Sequence, residues 1–363
     1  GFQTQMKMRG IVTVLIVVLL GLAGYSFVRS KFNLPIPSLR SKISILPTPS
    51  AWQEVSGVTV VAKNLEIPWA IAFLPDGRMF VTERPGRVRI ISKDGVLQKE
   101  PAVSISAVRQ IGEGGLLGIA VHPNFEKNKF VYLYYTYGEK GGLILNRVVR
   151  YTLDGNFLTN EETIVEGIPA SSNHDGGRIK FGPDGYLYVT TGDAQEPSRS
   201  QDKESPAGKI LRMTDEGAPA LGNPFNSLVY SYGHRNPQGL AWDEAGNLWE
   251  TEHGSSAFDE VNKIEPGRNY GWPTVRGDAT GAGFTPPIIL SGEGTWAPSG
   301  IAYLDGSVYF AGLRGQALYQ VVLSSASLKT HLKGQFGRLR EAVLGPDSML
   351  YLTTSNRDGR GDP

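Results

Sequence analysis

One pattern recurs six times along the chain and constrains its fold more than any other feature: a β-rich run, a Pro/Asp/Gly turn, then an alternating strand. The copies are AFLPDGRMFVTE (72–83), IAVHPNF with FVYLYYT (119–125 and 130–136), IKFGPDGYLYVT (179–190), LAWDEAGNLWET (240–251), IAYLDGSVYF (301–310) and AVLGPDSMLYLT (342–353). The turn residues supply a permissive backbone and the Tyr, Phe, Val and Leu positions can pack between sheets, so each copy reads as a hairpin. Such a hairpin cannot bury both faces alone and must stack on its neighbours. Copies roughly 40–60 residues apart suit four-stranded blades better than the isolated strands of a β-sandwich. The expected fold class is therefore all-β, a six-bladed β-propeller. The sixth copy lies close to Pro363, so the strands completing the last blade are expected to be missing.

Composition agrees and narrows the chemistry. The 45 Gly and 23 Pro in 363 residues indicate many turns. With 36 basic against 35 acidic residues there is no net field to gather nucleic acid. Cysteine is absent, which excludes disulfides, Cys-ligated zinc, iron–sulfur clusters, a lipoprotein anchor and thiol catalysis. Imidazole chemistry has five candidates: His122, His174, His234, His253 and His331.

A short arm, residues 1–9, precedes an uncharged and mostly apolar run from Gly10 to Val28 that is close to the length needed to cross a bilayer. This segment is expected to be a transmembrane signal anchor; a cleaved signal peptide with a site at Leu22-Ala23-Gly24 is the alternative. Residues 29–57 carry Pro35, Pro37, Pro47 and Pro49 among Ser and Lys and read as an extended spacer before the propeller at 58–363. The expected location is the cell membrane, single-pass, with the propeller on the extracytoplasmic (periplasmic or extracellular) side, or secreted if the segment is cleaved.

The unusual stretches GEGGLLG (112–118), SNHDGGR (172–178), YGHRNPQG (232–239), TEHGSS (251–256) and NYGWP (269–273) mostly fall in loops beside the repeated strands. Propeller loops at one end converge on the axial channel, so these segments can build a composite site. His174, set among polar residues and glycines, is a candidate general base, and Asp193 could hold its tautomer; a hydrogen-bonded structural histidine is an equal reading. Arg235 and Asn236 precede Pro237, which restrains their loop; they either present to a ligand or pin blade loops together. Arg338 and Arg340 share one side of an extended segment and ask for an anion, a solvated edge being the alternative. Asp259-Glu260 and Tyr270 offer carboxylates and carbonyls suited to calcium, or form an unliganded acidic turn, and His253 is a ligand or a packing residue.

In order along the chain, GEGGLLGIAVHPNF (112–125), HDGGRIKFGPDGYLYVTTGD (174–193), GHRNPQGLAW (233–242), TEHG (251–254), DEVNKIEPGRNYGWP (259–273), WAPSG (296–300) and GRLREAVLGPD (337–347) resemble the soluble glucose/sorbosone dehydrogenase family. The family includes bacterial aldose sugar dehydrogenases that use pyrroloquinoline quinone (PQQ). The resemblance implies a six-bladed propeller that oxidises aldoses at C1 to the lactone and passes electrons to an external acceptor. His174 would remove the C1 hydroxyl proton with Asp193 behind it, and hydride would pass to the quinone. Arg235 and Asn236 would contact the quinone oxygens. Arg338 and Arg340 would bind the cofactor carboxylates, and Arg314 falls where some members carry Lys. One calcium would bridge the cofactor to the Gly254 and Ser255 carbonyls, and another would lie near Glu260 and Tyr270. Glu113 stands where characterised members carry Gln beside the cofactor, which places a carboxylate near a tricarboxylate. Two other readings stay open: a non-catalytic propeller that binds a protein or glycan, as in hedgehog-interacting proteins, and a calcium-dependent hydrolase of the lactonase type.

Overall fold

The computed structural model describes residues 53–55, 57–279 and 281–361. The expected membrane segment and most of the Pro-rich spacer lie outside them, and among the described residues no helix is long and apolar enough to cross a membrane.

Five four-stranded antiparallel sheets follow one another. Blade 1 comprises Pro68–Phe73, Met79–Glu83, Arg87–Ile91 and Val103–Ser104; blade 2 comprises Leu116–Val121, Phe130–Gly138, Ile144–Asp154 and Phe157–Pro169. Blade 3 uses Ile179–Phe181, Leu187–Thr191, Lys209–Met213 and Val229–Tyr232, and blade 4 uses Pro237–Trp242, Leu248–Glu252, Glu260–Ile264 and Ile289–Leu290. Blade 5 is built from Pro298–Leu304, Ser307–Gly312, Ala317–Val322 and Ser327–His331.

The expectation of six blades is corrected to five. The sixth copy of the repeat forms only the two-stranded sheet Leu339–Leu344 and Leu350–Thr354. Among the described residues, 355–361 form no third strand. The chain folds back instead, with the Ser355 N–H bonded to the Arg338 carbonyl and Asp358 and Arg360 paired to Arg338 and Glu113.

Each copy of the repeat supplies the first two strands of its sheet, and first strands of consecutive sheets pack side by side except between blades 3 and 4, where the second strand of blade 3 meets the first of blade 4. Glycines permit this approach: a Cβ on Gly118 would collide with the Gly177 carbonyl, and one on Gly239 with the Ser299 carbonyl. A threonine at the last position but one of the second strand stitches neighbouring sheets. Thr82 Oγ1 donates to Leu117 O at 2.6 Å, Thr251 Oγ1 to Ser299 O at 2.6 Å, and Thr353 Oγ1 to Pro68 O at 3.3 Å. The last of these joins the sixth copy to blade 1, and the Phe73 and Tyr351 rings meet edge-on across the same seam, 4.9 Å apart. Between the sheets, Trp69, Phe80, Tyr132, Tyr134 and Phe310 are fully buried.

Candidate active site

In an antiparallel hairpin the start of the first strand and the end of the second lie at the same end. Residues at these points in every blade therefore share one rim, and there they enclose a cleft of about 430 Å³. Glu113, His174, Arg235, His253, Gly254, Ser255, Arg314, Arg338, Arg340 and Arg360 line it.

His174 sits in the loop entering blade 3 with a left-handed backbone, φ 66°. Its Nδ1 lies 2.7 Å from Asp193 Oδ1, and Asp193, just past the second strand of blade 3, is fully buried. Asp193 also accepts the Gln195 N–H at 2.8 Å on Oδ1 and the Trp272 indole N–H at 2.8 Å on Oδ2. The carboxylate has no freedom to turn away, so an ionised Asp193 fixes the His174 tautomer with hydrogen on Nδ1 and leaves Nε2 as the base.

Glu113 accepts the His174 backbone N–H at 3.0 Å and the Asn236 side-chain amide at 3.2 Å, and pairs with Arg360 at 2.9 Å. Burial opposes its ionisation, but His253, then the His174 N–H and Arg360, outweigh it and lower the carboxyl below its ordinary value. His253 also lines the cleft and is pushed toward its neutral form by burial, and its Nε2 lies 2.8 Å from Pro298 O. At neutral pH the His174 N–H and Arg360 are therefore the partners that keep Glu113 charged.

The arginines differ in how far they are engaged. Arg338 is bonded through Nε and Nη2 to the covered carboxylate of half-buried Asp358 at 3.2 and 3.0 Å. Arg340 donates Nη1 to Gln238 Oε1 at 2.9 Å, but its buried Nε has no partner, and burial lowers its pKa to about 9. Arg235 donates Nη1 to the Gly254 carbonyl at 2.7 Å, while its buried Nε is unpartnered. Arg314 stands exposed on the rim. Asn236 is fully buried directly behind the cleft, with Oδ1 taking the Gly176 N–H at 3.1 Å.

The expected calcium ligands Gly254, Ser255, Glu260 and Tyr270 together line one small cavity of about 30 Å³. Gly254 and Ser255 also line the main cleft, where the Gly254 carbonyl is taken by Arg235. Glu260 and Tyr270 also line a further cavity of about 130 Å³. Strand pairing sets Glu260 opposite Glu252 and Asn262 opposite Glu250, placing four oxygen-bearing side chains on one face of blade 4. Burial, then the like charge of Glu252, raises Glu260 to about 8, and Glu250 is raised well above its ordinary value. Glu250 Oε1 and Asn262 Oδ1 are buried without partners. His234 lies close to Glu250 and Glu252, but both its ring nitrogens are engaged, by Glu252 and by Ser231. Asp259 is fully committed to the loop, with Oδ2 taking the Thr295 hydroxyl and the N–H groups of Trp296 and Ala297 at 2.7–2.9 Å.

Sequence reasoning did not single out Arg84, Asp358 or Arg360, and it quoted Glu250, Asn262 and Trp272 only within longer stretches. Arg84 is buried with an unpartnered Nε, and the charges acting on it include Asp358, Glu113 and Asp175. A carboxylate following one arginine and another arginine two residues later, as in Asp358 and Arg360, was the one local signal available.

Comparison with known proteins gives a consistent result. A family model described as Glucose / Sorbosone dehydrogenase matches residues 65–360. The chain is 30% identical over 368 residues to the aldose sugar dehydrogenase YliI of Escherichia coli, covering 91% of this chain and 97% of that one. It is 33% identical over 257 residues to quinoprotein glucose dehydrogenase B of Acinetobacter calcoaceticus, covering 62% of this chain and 54% of that one. The PQQ-bound structure of aldose sugar dehydrogenase from Streptomyces coelicolor superposes with a TM-score of 0.78 at 43% identity, covering 84% of this chain and 92% of that one.

Proposed function

Because this chain belongs to the glucose/sorbosone dehydrogenase family, we propose that it is a PQQ-dependent aldose dehydrogenase, oxidising the sugar at C1 to the lactone and delivering electrons to an external acceptor. The observation that carries this reading is the His174–Asp193 pair opening on an arginine-lined cleft.

The residues fit the cofactor. A planar tricarboxylate needs cationic donors with free valence, and the buried Nε atoms of Arg235 and Arg340 are unpartnered in the walls of the cleft. Arg340 and Arg338 would hold its carboxylates, with Arg314 at the rim, and Arg235 and Asn236 would face the quinone oxygens. The oxygen set around Glu260 suits calcium, since Glu250 Oε1 and Asn262 Oδ1 are acceptors with nothing to accept. A second calcium at the Gly254 and Ser255 carbonyls would require Arg235 to release Gly254.

When bound, the quinone supplies the two-electron acceptor that takes hydride from C1. His174 Nε2 takes the C1 hydroxyl proton as hydride departs, and Asp193 stabilises the resulting imidazolium through Nδ1. Arg235 places positive charge where oxyanion character develops. Glu113 holds the His174 backbone and is itself neutralised by Arg360, so its charge is spent within the protein.

The test is calorimetric titration of the full chain with PQQ in calcium, followed by dye reduction with aldoses. Saturable binding and sugar-dependent reduction that requires both additions support the proposal. A folded chain that binds no PQQ rejects it in favour of a binding propeller, and lactone hydrolysis without quinone would identify a hydrolase.

A further inference from the structure

We propose that Trp272 is a positioning residue that joins the two halves of the site, through its indole N–H to Asp193 and through its ring to Arg235. This rests on the function proposed above. Trp272 lies in the loop after the third strand of blade 4, and its Nε1 donates to Asp193 Oδ2 at 2.8 Å. The guanidinium carbon of Arg235 sits 5.3 Å from the indole centroid, within cation–π range. The base pair belongs to blade 3 and Arg235 to the entry of blade 4, so one side chain spans two sheets.

The indole is held from several sides. The Trp272 N–H donates to Gly233 O at 3.0 Å, and its carbonyl accepts Gln201 Nε2 at 2.6 Å. Gln201 also bonds Asn269 in both directions, Oε1 taking the Asn269 amide at 2.7 Å and Nε2 donating to Asn269 Oδ1 at 3.0 Å. Arg276 also lies within cation–π range of the ring, its guanidinium carbon 5.1 Å from the centroid.

The two contacts do different chemistry. Asp193 is fully buried, and the indole N–H satisfies the oxygen that does not face His174. Without it, the buried carboxylate would lose a donor that favours its ionised form and a contact that fixes its orientation toward His174. The ring face instead restrains a long side chain that otherwise has one hydrogen bond at 2.7 Å to Gly254 and a weaker one at 3.3 Å to His253 O. Loss of the N–H should therefore lower turnover, and loss of the ring should lower cofactor affinity as well.

The experiment compares Trp272→Phe with Trp272→Leu in the full chain, measuring PQQ affinity by calorimetry, turnover with an aldose, and indole N–H signals by ¹⁵N NMR without cofactor. Trp272→Phe keeps a ring and loses the donor: turnover should fall roughly 10- to 100-fold with affinity changed less than about twofold. Trp272→Leu should lose a further ~3- to 30-fold in affinity. In the NMR arm, the indole signal absent from Trp272→Phe should move when Asp193 is replaced by Asn. Full turnover in Trp272→Phe, equal losses of both quantities in both variants, or an indole signal indifferent to Asp193→Asn would each overturn the inference. Failure of the unaltered chain to bind PQQ would overturn the function proposed above, and the NMR arm would still judge the indole–carboxylate link.

Discussion

Glu113 Oε2 accepts the backbone N–H of His174 at 3.0 Å, and the opposite oxygen of the same carboxylate meets Arg360 at 2.9 Å. A charge that looks misplaced beside a tricarboxylate site is thus the anchor of a histidine with a left-handed backbone. Glu113→Gln keeps an acceptor for His174 and frees Arg360, so PQQ affinity should rise, by about tenfold for one removed like charge near the surface. Glu113→Ala removes the acceptor and should lower turnover by at least about tenfold, since a misplaced base is costly. Paired calorimetry and dye-linked kinetics on the two variants separate charge from anchorage; identical behaviour would refute both roles.

His174→Ala should reduce turnover by about 10²- to 10⁴-fold while sparing PQQ binding. Replacing both Arg338 and Arg340 should weaken PQQ itself. Between the two, Arg340→Ala should cost more affinity than Arg338→Ala, because Asp358 already pairs with Arg338 while Arg340 keeps an unpartnered buried nitrogen. Isothermal titrations of the single variants would expose the reverse order.

Asp175 gives a pH signature in stability. Burial raises its carboxyl from 3.8 to about 7, although Asn146 and the Ser171 N–H each donate to it. The native state then holds this proton more tightly than the unfolded chain, so its contribution is greatest below pH 4 and is lost as pH rises to about 7. The span is at most about 4 kcal/mol. Melting temperatures of the cofactor-free protein and of Asp175→Asn should diverge in slope between pH 4 and 7 and run parallel on either side of that window. Parallel curves from pH 4 to 7 would show that Asp175 does not bind this proton.

Calcium should raise the melting temperature by several degrees and chelation should reverse the gain, because a cation at Glu260 relieves the crowding of buried carboxylates on that face. Glu260→Ala should erase the calcium increment. If the increment survives in that variant, the ion sits elsewhere.

The hairpins were legible because strand, turn and strand are encoded within a dozen residues, as in 179–190. The blade count was not, since third and fourth strands such as Arg87–Ile91 and Ile289–Leu290 carry no shared pattern, and a sixth hairpin does not guarantee a sixth four-stranded sheet. Arg338 and Arg340, two residues apart in sequence, both line the cleft. Arg84, Trp272 and Arg360 were not singled out because their partners lie far away in sequence: Trp272 meets Asp193 across 79 residues and Arg360 meets Glu113 across 247. Such contacts are made by the stacking of sheets and leave no periodicity to read.

The hydrogen bond from Thr353 to Pro68 spans 285 residues. Arg338, Arg340, Asp358 and Arg360 stand on one side of that join, and Glu113 and Trp69 on the other. The cleft therefore cannot assemble piecemeal on a growing chain: a ribosome must release nearly all of the described residues before the two sides can meet. Competence arrives late and all at once, and any later parting of the join would disarm the protein while leaving most of its sheets intact.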